Sequence, residues 1–402
     1  MAKAPTKTGK AAVSDHVLSE LAKKVQGQMF EQNRPRRWPL GLLRLSRGIG
    51  GGIPNARFVE VHGPPDSGKT TTAIEMIRDI IDAEQETLQD PKGRRVVVMD
   101  HEAVMDLDYA ERITGQRFGW VEKMSDLVEV WRAHQVVYFI PPTLEFDARI
   151  TANLMRNQRL LVSVHDSLAA MTPRALIEDS KGSPIDGCDE SRPALLAGQL
   201  GKWMPRWKKM CVQYGSGAIY INQAKIAMQM GGNKFTPPQW KTNGGDNPVF
   251  YADVRIRCIG GKSPVYPNGG RKITMTVIKN KTSRDRGGKF IYHSNGVNGI
   301  DRSAEIMEIA LESGTVYWVN AEGKPVPPGS RSRSTIVDRD GNPFTQPELR
   351  AALAPGNSLY EQVKEYAQTM DLTAPVPEAP QAGPQGDDTF PDSGDEGLTG
   401  LE

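Results

Sequence analysis

The sequence predicts an α/β fold built on a mostly parallel central sheet, with an N-terminal helix and a small α+β appendage at the C-terminus. Two observations carry that expectation. Between Gly41 and about Ile300, β-branched runs alternate with stretches of helical periodicity. Within that region Val59 to Ile77 reads as strand, loop and helix, and the loop spells Gly63-Pro64-Pro65-Asp66-Ser67-Gly68-Lys69-Thr70, a G-x-x-x-x-G-K-[ST] pattern in the context that gives it meaning.

Taken in order, residues 1–40 hold a basic lead-in and one amphipathic helix. Ser14-Asp15 offers its N-cap, Val17, Leu18, Leu21, Val25 and Met29 share a face, and Pro35 and Pro39 end it. The core is expected over 41–300, with strands at Phe58–His62, Arg95–Asp100, Gln135–Ile140, Leu160–Asp166, Ala218–Asn222, Val254–Ile259 and Ile273–Lys279. Several end in a polar residue, where an open α/β sheet places its ligand groups. A helix (Ala304 to Glu312), a hairpin (Val316 to Val326) and further helices make up 301–370. The last stretch, 371–402, holds eight acidic residues and no basic ones among repeated Pro and Gly, the composition of a disordered acidic tail.

Composition narrows the function. The 402 residues are 38% apolar and 24% charged. They contain no run of about 18 apolar residues, and the N-terminus lacks the apolar region of a signal peptide, so a cytoplasmic protein with no membrane partner is expected. Three cysteines, Cys188, Cys211 and Cys258, lie far apart with no C-x-x-C pair, which fits a reducing compartment and argues against a zinc ribbon. The net charge of +2 hides a basic body behind the acidic tail, and a basic body suggests a polyanion partner.

The loop from Gly63 to Thr70 is expected to wrap its N–H groups around phosphates, with the helix N-terminus behind them. Lys69 would reach the β and γ oxygens of ATP or GTP, and Thr70 would hold Mg²⁺. Asp166, at the end of "LLVSVHDS", supplies the metal-side carboxylate, and Glu102, after "RRVVVMDH", is placed to orient or deprotonate the attacking water. A carboxylate interacting with a helix N-terminus is the plainer reading of Glu102. His101 and His165 each neighbour an acid, but no H-x-x-x-H spacing supports a metal cluster.

At these residues the chain resembles the RecA recombinase family, including its phage members, in order over about residues 41–320. "GGIPNARFVEVHGPPDSGKTT" resembles the family's entry into its phosphate loop, which extends the nucleotide contacts to Thr71. "MDHEAVMDLDYA" is similar to the segment carrying the catalytic glutamate, implying Glu102 for that role, Tyr109 for stacking on adenine and Asp106 for contact with the base. "HDSLAAMTP" puts the metal carboxylate at Asp166, and "YINQAKI" implies Gln223 as the sensor of the γ-phosphate. "VIKNK" places Lys279 and Lys281 where the family reaches the neighbouring subunit's ATP, and "NGGDNPVFYADVR" puts Phe250 at the subunit interface.

The loop from Ala224 to Asn243 has the make-up of a single-strand contact surface. Lys225, Lys234 and Lys241 can meet phosphates, and Ile226, Met228, Met230, Phe235 and Trp240 can stack on bases, closed by Gly244 and Gly245. A first DNA loop is expected between Glu178 and Arg192, with Arg192 as its phosphate ligand, and Pro205 is expected to interrupt the helix that follows it. By the same resemblance the helix bearing Val17, Leu21 and Val25 docks on an adjacent protomer.

The resemblance therefore implies an ATP- and Mg²⁺-dependent DNA recombinase, a DNA-dependent ATPase that forms helical filaments on single-stranded DNA and pairs it with a homologous duplex. Single-strand-binding and mediator proteins are its further candidate partners. A hexameric helicase on the same core, or an ATP-switched DNA-binding filament without strand exchange, are the alternatives the residues leave open.

Overall fold

The computed structural model describes residues 35–89, 93–179, 182–185, 194–226, 240–267, 269–284, 287–326 and 335–370. The helix with Val17, Leu21 and Val25, the loop residues Arg192, Met228, Met230, Lys234 and Phe235, and the acidic tail lie outside them. The chain divides into two compact units, Met1–Glu305 and Ile306–Glu402.

The first unit is built on a ten-stranded sheet. Its elements run β1 (Arg37–Trp38), α1 (Leu43–Gly48), β2 (Ile53–Pro54), β3 (Phe58–Gly63), α2 (Lys69–Ala83), α3 (Gln85–Gln89), β4 (Arg95–Asp100), α4 (Leu107–Thr114) and β5 (Phe118–Trp120). There follow α5 (Leu127–Ala133), β6 (Val136–Phe139), α6 (Leu144–Arg156), β7 (Leu160–Asp166), α7 (Leu195–Tyr214), β8 (Gly217–Ile226), β9 (Trp240–Thr242) and α8 (Asn247–Tyr251). The strands β10 (Val254–Lys262), β11 (Arg271–Asn280) and β12 (Lys289–Ser294) complete the sheet, and α9 (Arg302–Glu312) begins after them. The order across the sheet is β12-β11-β10-β3-β8-β7-β4-β6-β5, with β9 paired to β8. From β10 to β5 every neighbouring pair is parallel, and β11 and β12 add an antiparallel edge.

All seven expected strands are present: β3, β4, β6, β7 and the first part of β8 are continuous runs buried on both faces, while β11 alternates buried and more exposed residues as a strand covered on one face does. One expectation for this unit fails. Pro205 does not interrupt a helix: α7 runs 20 residues through it. Leu200, Met204, Trp207 and Cys211 form one buried stripe on both sides of the proline, and that burial holds the helix where the missing N–H and the ring would otherwise break it.

Helices α6 and α7 cover one face of the sheet, sharing a core in which Leu144, Ala148, Met155, Met204 and Trp207 meet Met99, Phe139 and Tyr220. Trp207 is 1% exposed, so Trp207→Ala is expected to lower the unfolding free energy by about 3–5 kcal/mol, read as a shift in the urea midpoint.

The second unit holds a four-stranded antiparallel sheet, β14 (Pro325–Val326), β13 (Val316–Val319), β15 (Thr335–Asp338) and β16 (Pro343–Phe344) in that order, with helices α10 (Gln346–Ala352) and α11 (Ser358–Thr369). The expected hairpin is the β13–β14 pair. The other two strands replace what the sequence suggested as helix.

Candidate nucleotide and DNA site

Four adjacent strands, β3, β8, β7 and β4, point their carboxyl ends the same way and bring the site together. Gly63 lies in register with Gln223, and Asp100 with Asp166. After β3 the backbone turns sharply. Asp66 has φ 57°, Gly68 has φ 82°, and α2 starts at Lys69. The two glycines are required by packing: a Cβ on Gly63 would lie 2.1 Å from the Cys258 carbonyl oxygen, and one on Gly68 would lie 2.5 Å from Ile273 Cδ1.

Within this loop Lys69 Nζ donates to the Pro64 carbonyl at 2.7 Å, and burial pulls its pKa down against the nearby acids. Ser67 is fully buried and its hydroxyl has no hydrogen-bond partner, the state expected of a group awaiting an anion. Thr70 Oγ1 donates to Asp166 Oδ2 at 2.8 Å. A hydroxyl and a carboxylate side by side are the hard oxygen donors that suit Mg²⁺. Burial, with Glu102 and Asp100 nearby, pushes the Asp166 carboxyl up to about 6, which a divalent cation would reverse.

Glu102 lies ahead of α4, outside its first turn, so the helix-dipole reading of this residue does not hold. Its Oε1 accepts from Gln223 Nε2 at 3.2 Å and from the Ser167 hydroxyl. Sequence reasoning did not single out Ser167, although its place directly after Asp166 was the available signal. Behind Glu102, the Asp100 carboxylate accepts from the backbone N–H groups of Glu102, Ala103, Val104 and Met105 and from the Tyr138 hydroxyl. Asp100 thereby fixes the turn that carries Glu102. Tyr109 lies against the first turn of α2, its hydroxyl 3.1 Å from Thr71 Oγ1. Asp106 caps α4 through a 2.9 Å bond from Tyr109 N.

Gln223 also belongs to the stem of the second loop. β8 and β9 pair Ala224 with Thr242, Lys225 with Lys241 and Ile226 with Trp240. Lys225 and Lys241 are exposed, Ile226 is 57% exposed, and Trp240 lies under the Arg257 guanidinium. Gly244 (φ 87°) and Gly245 (φ 69°) then turn the chain against Leu200 and Ala197 of α7. Lys279, near the end of β11, and Phe250, on α8, form a second group. Lys279 Nζ bonds the carbonyls of Val249 and Phe250 while the Phe250 ring stands 71% exposed. Lys281 is exposed just past the end of β11, its N–H bonded to the Asp253 carbonyl.

The family model described as the RecA N-terminal domain matches residues 38–294, well over half of the chain. This chain belongs to the RecA family. Among similar proteins, Protein RecA of Agrobacterium fabrum is 29% identical over 322 residues, covering 78% of this chain and 77% of that protein. Protein RecA of Rhizobium leguminosarum is 28% identical over 322 residues (78% and 80%), and that of Rhizobium etli 29% over 322 residues (78% and 78%). The α/β core with its large, mostly parallel sheet is thus a RecA core, and a RecA-like recombinase or ATPase function follows in general terms. Among the described residues no helix is long and apolar enough to cross a membrane.

Proposed function

We propose that this chain is an ATP-dependent DNA recombinase that polymerises head to tail on single-stranded DNA and catalyses homologous pairing and strand exchange. The observation that carries this reading is the bond between Glu102 and Gln223, because Gln223 lies on the strand that leads into the loop from Ala224 to Asn243. Gln223 and Ser167 both donate to the carboxylate that should orient water. When ATP binds, the Gln223 amide exchanges Glu102 for the γ-phosphate. That exchange frees Glu102 and shifts the β8–β9 stem. Ser67 and Lys69 hold phosphate oxygens, and Tyr109 stacks on the base with Asp106 beside it. Thr70 and Asp166 would hold Mg²⁺, which when bound neutralises charge on the transferred group. Hydrolysis returns Gln223 to Glu102 and loosens the loop.

Lys279 and Lys281 act on the next protomer's ATP, as an arginine finger does. Phe250 and the stripe at Val17, Leu21 and Val25 form the protomer contacts, and the exposed Trp120, Met124 and Val128 offer that stripe an apolar acceptor. Head-to-tail contacts that do not close make a helix. Burial, with Lys281, Arg255 and Lys208 nearby, lowers the Lys279 pKa to about 8. Its charge is therefore lost as pH rises through about 8, where an ordinary lysine keeps it to about 10. The folded chain binds fewer protons than the unfolded between those values, so this group's contribution to stability rises with pH there, while its use as a cation falls. DNA-stimulated kcat is expected to decline above pH 8 in the wild type and to stay level in Lys279→Arg, checked by a pH series from 7 to 9.5.

The test of the function is the ATPase rate with and without single-stranded DNA, on samples imaged with a nonhydrolysable ATP analogue. DNA-stimulated hydrolysis with helical filaments supports the recombinase and leads to a strand-exchange assay. Closed rings would indicate a helicase, and hydrolysis indifferent to DNA would remove the role given to the Ala224–Asn243 loop.

A further inference from the structure

The two histidines that flank the site's acids in sequence converge on one residue from a third element. His101 Nε2 lies 2.8 Å and His165 Nδ1 2.7 Å from the same oxygen, Asp147 Oδ2, on α6. The remaining Asp147 oxygen accepts from Thr151 Oγ1 at 2.9 Å. His165 Nε2 lies 2.9 Å from Ser163 Oγ, and its ring stacks on Tyr220 and Trp207. All three side chains are at most 2% exposed.

A metal centre is the first alternative, since these three side chains bring their ligand atoms within 4.8 Å of one another. The spacing speaks against it. Ligands at about 2.0–2.2 Å from a tetrahedral ion stand about 3.4 Å apart, whereas both nitrogens here are at hydrogen-bond length from one oxygen. The donors balance instead. Two imidazole N–H groups donate to one carboxylate, and the Ser163 hydroxyl donates to the free His165 nitrogen. Burial alone would raise the Asp147 carboxyl, yet His165 and His101 hold it well below the usual range.

Successive strand residues face opposite sides, so His165 points to the α6–α7 layer while Asp166 points to the nucleotide side. His101 lies just past the end of β4, in the turn that carries Glu102, and its backbone N–H donates to the Asp166 carbonyl at 2.6 Å. We propose that Asp147, through His101 and His165, is a positioning residue that sets the separation between the water-orienting Glu102 and the metal-side Asp166. The clasp rests on the ATPase reading above. It grips both strand ends from the rear face, and α6 is in turn tied to the segment after β7 by Leu144 N to the Thr172 carbonyl and Arg174 N to Glu145 Oε2. Strand ends that can shift by part of an ångström still bind nucleotide through the phosphate loop. They no longer hold the reacting groups in line, and a misplacement of about 1 Å can cost about 10²-fold in rate.

The experiment uses the full chain with Asp147→Ala, Asp147→Asn, His101→Ala and His101→Gln. It measures kcat and KM for ATP at saturating Mg²⁺ and DNA, affinity for a nonhydrolysable analogue, thermal unfolding, and metal content after dialysis. Asp147→Ala is expected to lose about tenfold or more in kcat with KM and analogue affinity within about twofold, and Asp147→Asn to fall between it and wild type. His101→Gln places an amide N–H where the imidazole N–H was and should keep most of the rate that His101→Ala loses. If Asp147→Ala does not fold, the His101 pair carries the test. Loss of thermal stability alone, with kcat unchanged, would reduce the cluster to packing and overturn the proposal. Stoichiometric metal in the dialysed wild type that Asp147→Ala or His101→Ala lacks would also overturn it. A wild type without DNA-stimulated hydrolysis would instead refute the proposed function, whatever the variants do.

Discussion

Lys69→Ala is expected to abolish ATP hydrolysis, by about 10³-fold or more, and to remove ATP-dependent DNA binding with it. The ammonium group is bonded to Pro64 O across the phosphate loop, so it is in place before nucleotide arrives and needs little reorganisation to meet it. Loss of one preorganised donor in a water-excluded site costs about 10² to 10³ in rate, and here the donor also carries the charge that offsets polyphosphate. Thermal unfolding should stay close to wild type, because burial of the ammonium opposes its charge in the free protein. A Lys69→Ala chain that hydrolyses ATP normally and binds DNA with unchanged, ATP-independent affinity would end the ATP-gated account.

Glu102→Gln should separate binding from hydrolysis. The amide keeps an oxygen where Ser167 and Gln223 donate, so the local structure survives while the carboxylate is lost. Removing a general base costs about 10² to 10⁴ in rate, with ATP affinity little changed. Filaments formed with ATP should then persist rather than turn over, visible as slow disassembly after DNA competitor is added. Hydrolysis near the wild-type rate would move the base to another residue.

Much of this site was legible in the sequence because its signals are local. The phosphate loop and Asp166 each sit at the end of a continuous apolar strand, and such runs read the same whatever lies across the sheet, whereas Gln223, inside β8, is reached only through the resemblance. What escaped were features made by distant residues or by very short ones. The strands Phe118–Trp120 and Trp240–Thr242 are three residues long, below the length at which a period can be counted. Pro205 misled because the buried stripe holding its helix outweighs a local rule. Asp147 sits 46 residues from His101 and 18 from His165, in a helix whose pattern shows only an amphipathic face. An apolar-face carboxylate can be seen there, but nothing local names its partners.

The large sheet ends on β5, which among the described residues pairs only with β6, and Trp120 at its end is 53% exposed. An open edge of this kind is a template for another chain. In the head-to-tail polymer proposed above, one tip would therefore display this apolar, half-bonded edge uncovered, and the opposite tip would not. Tips of different chemistry would grow at different speeds and give that polymer a kinetic direction. A peptide copying residues 14–29, seated on the β5 tip, would halt extension there at a few copies per polymer while leaving growth at the other tip untouched.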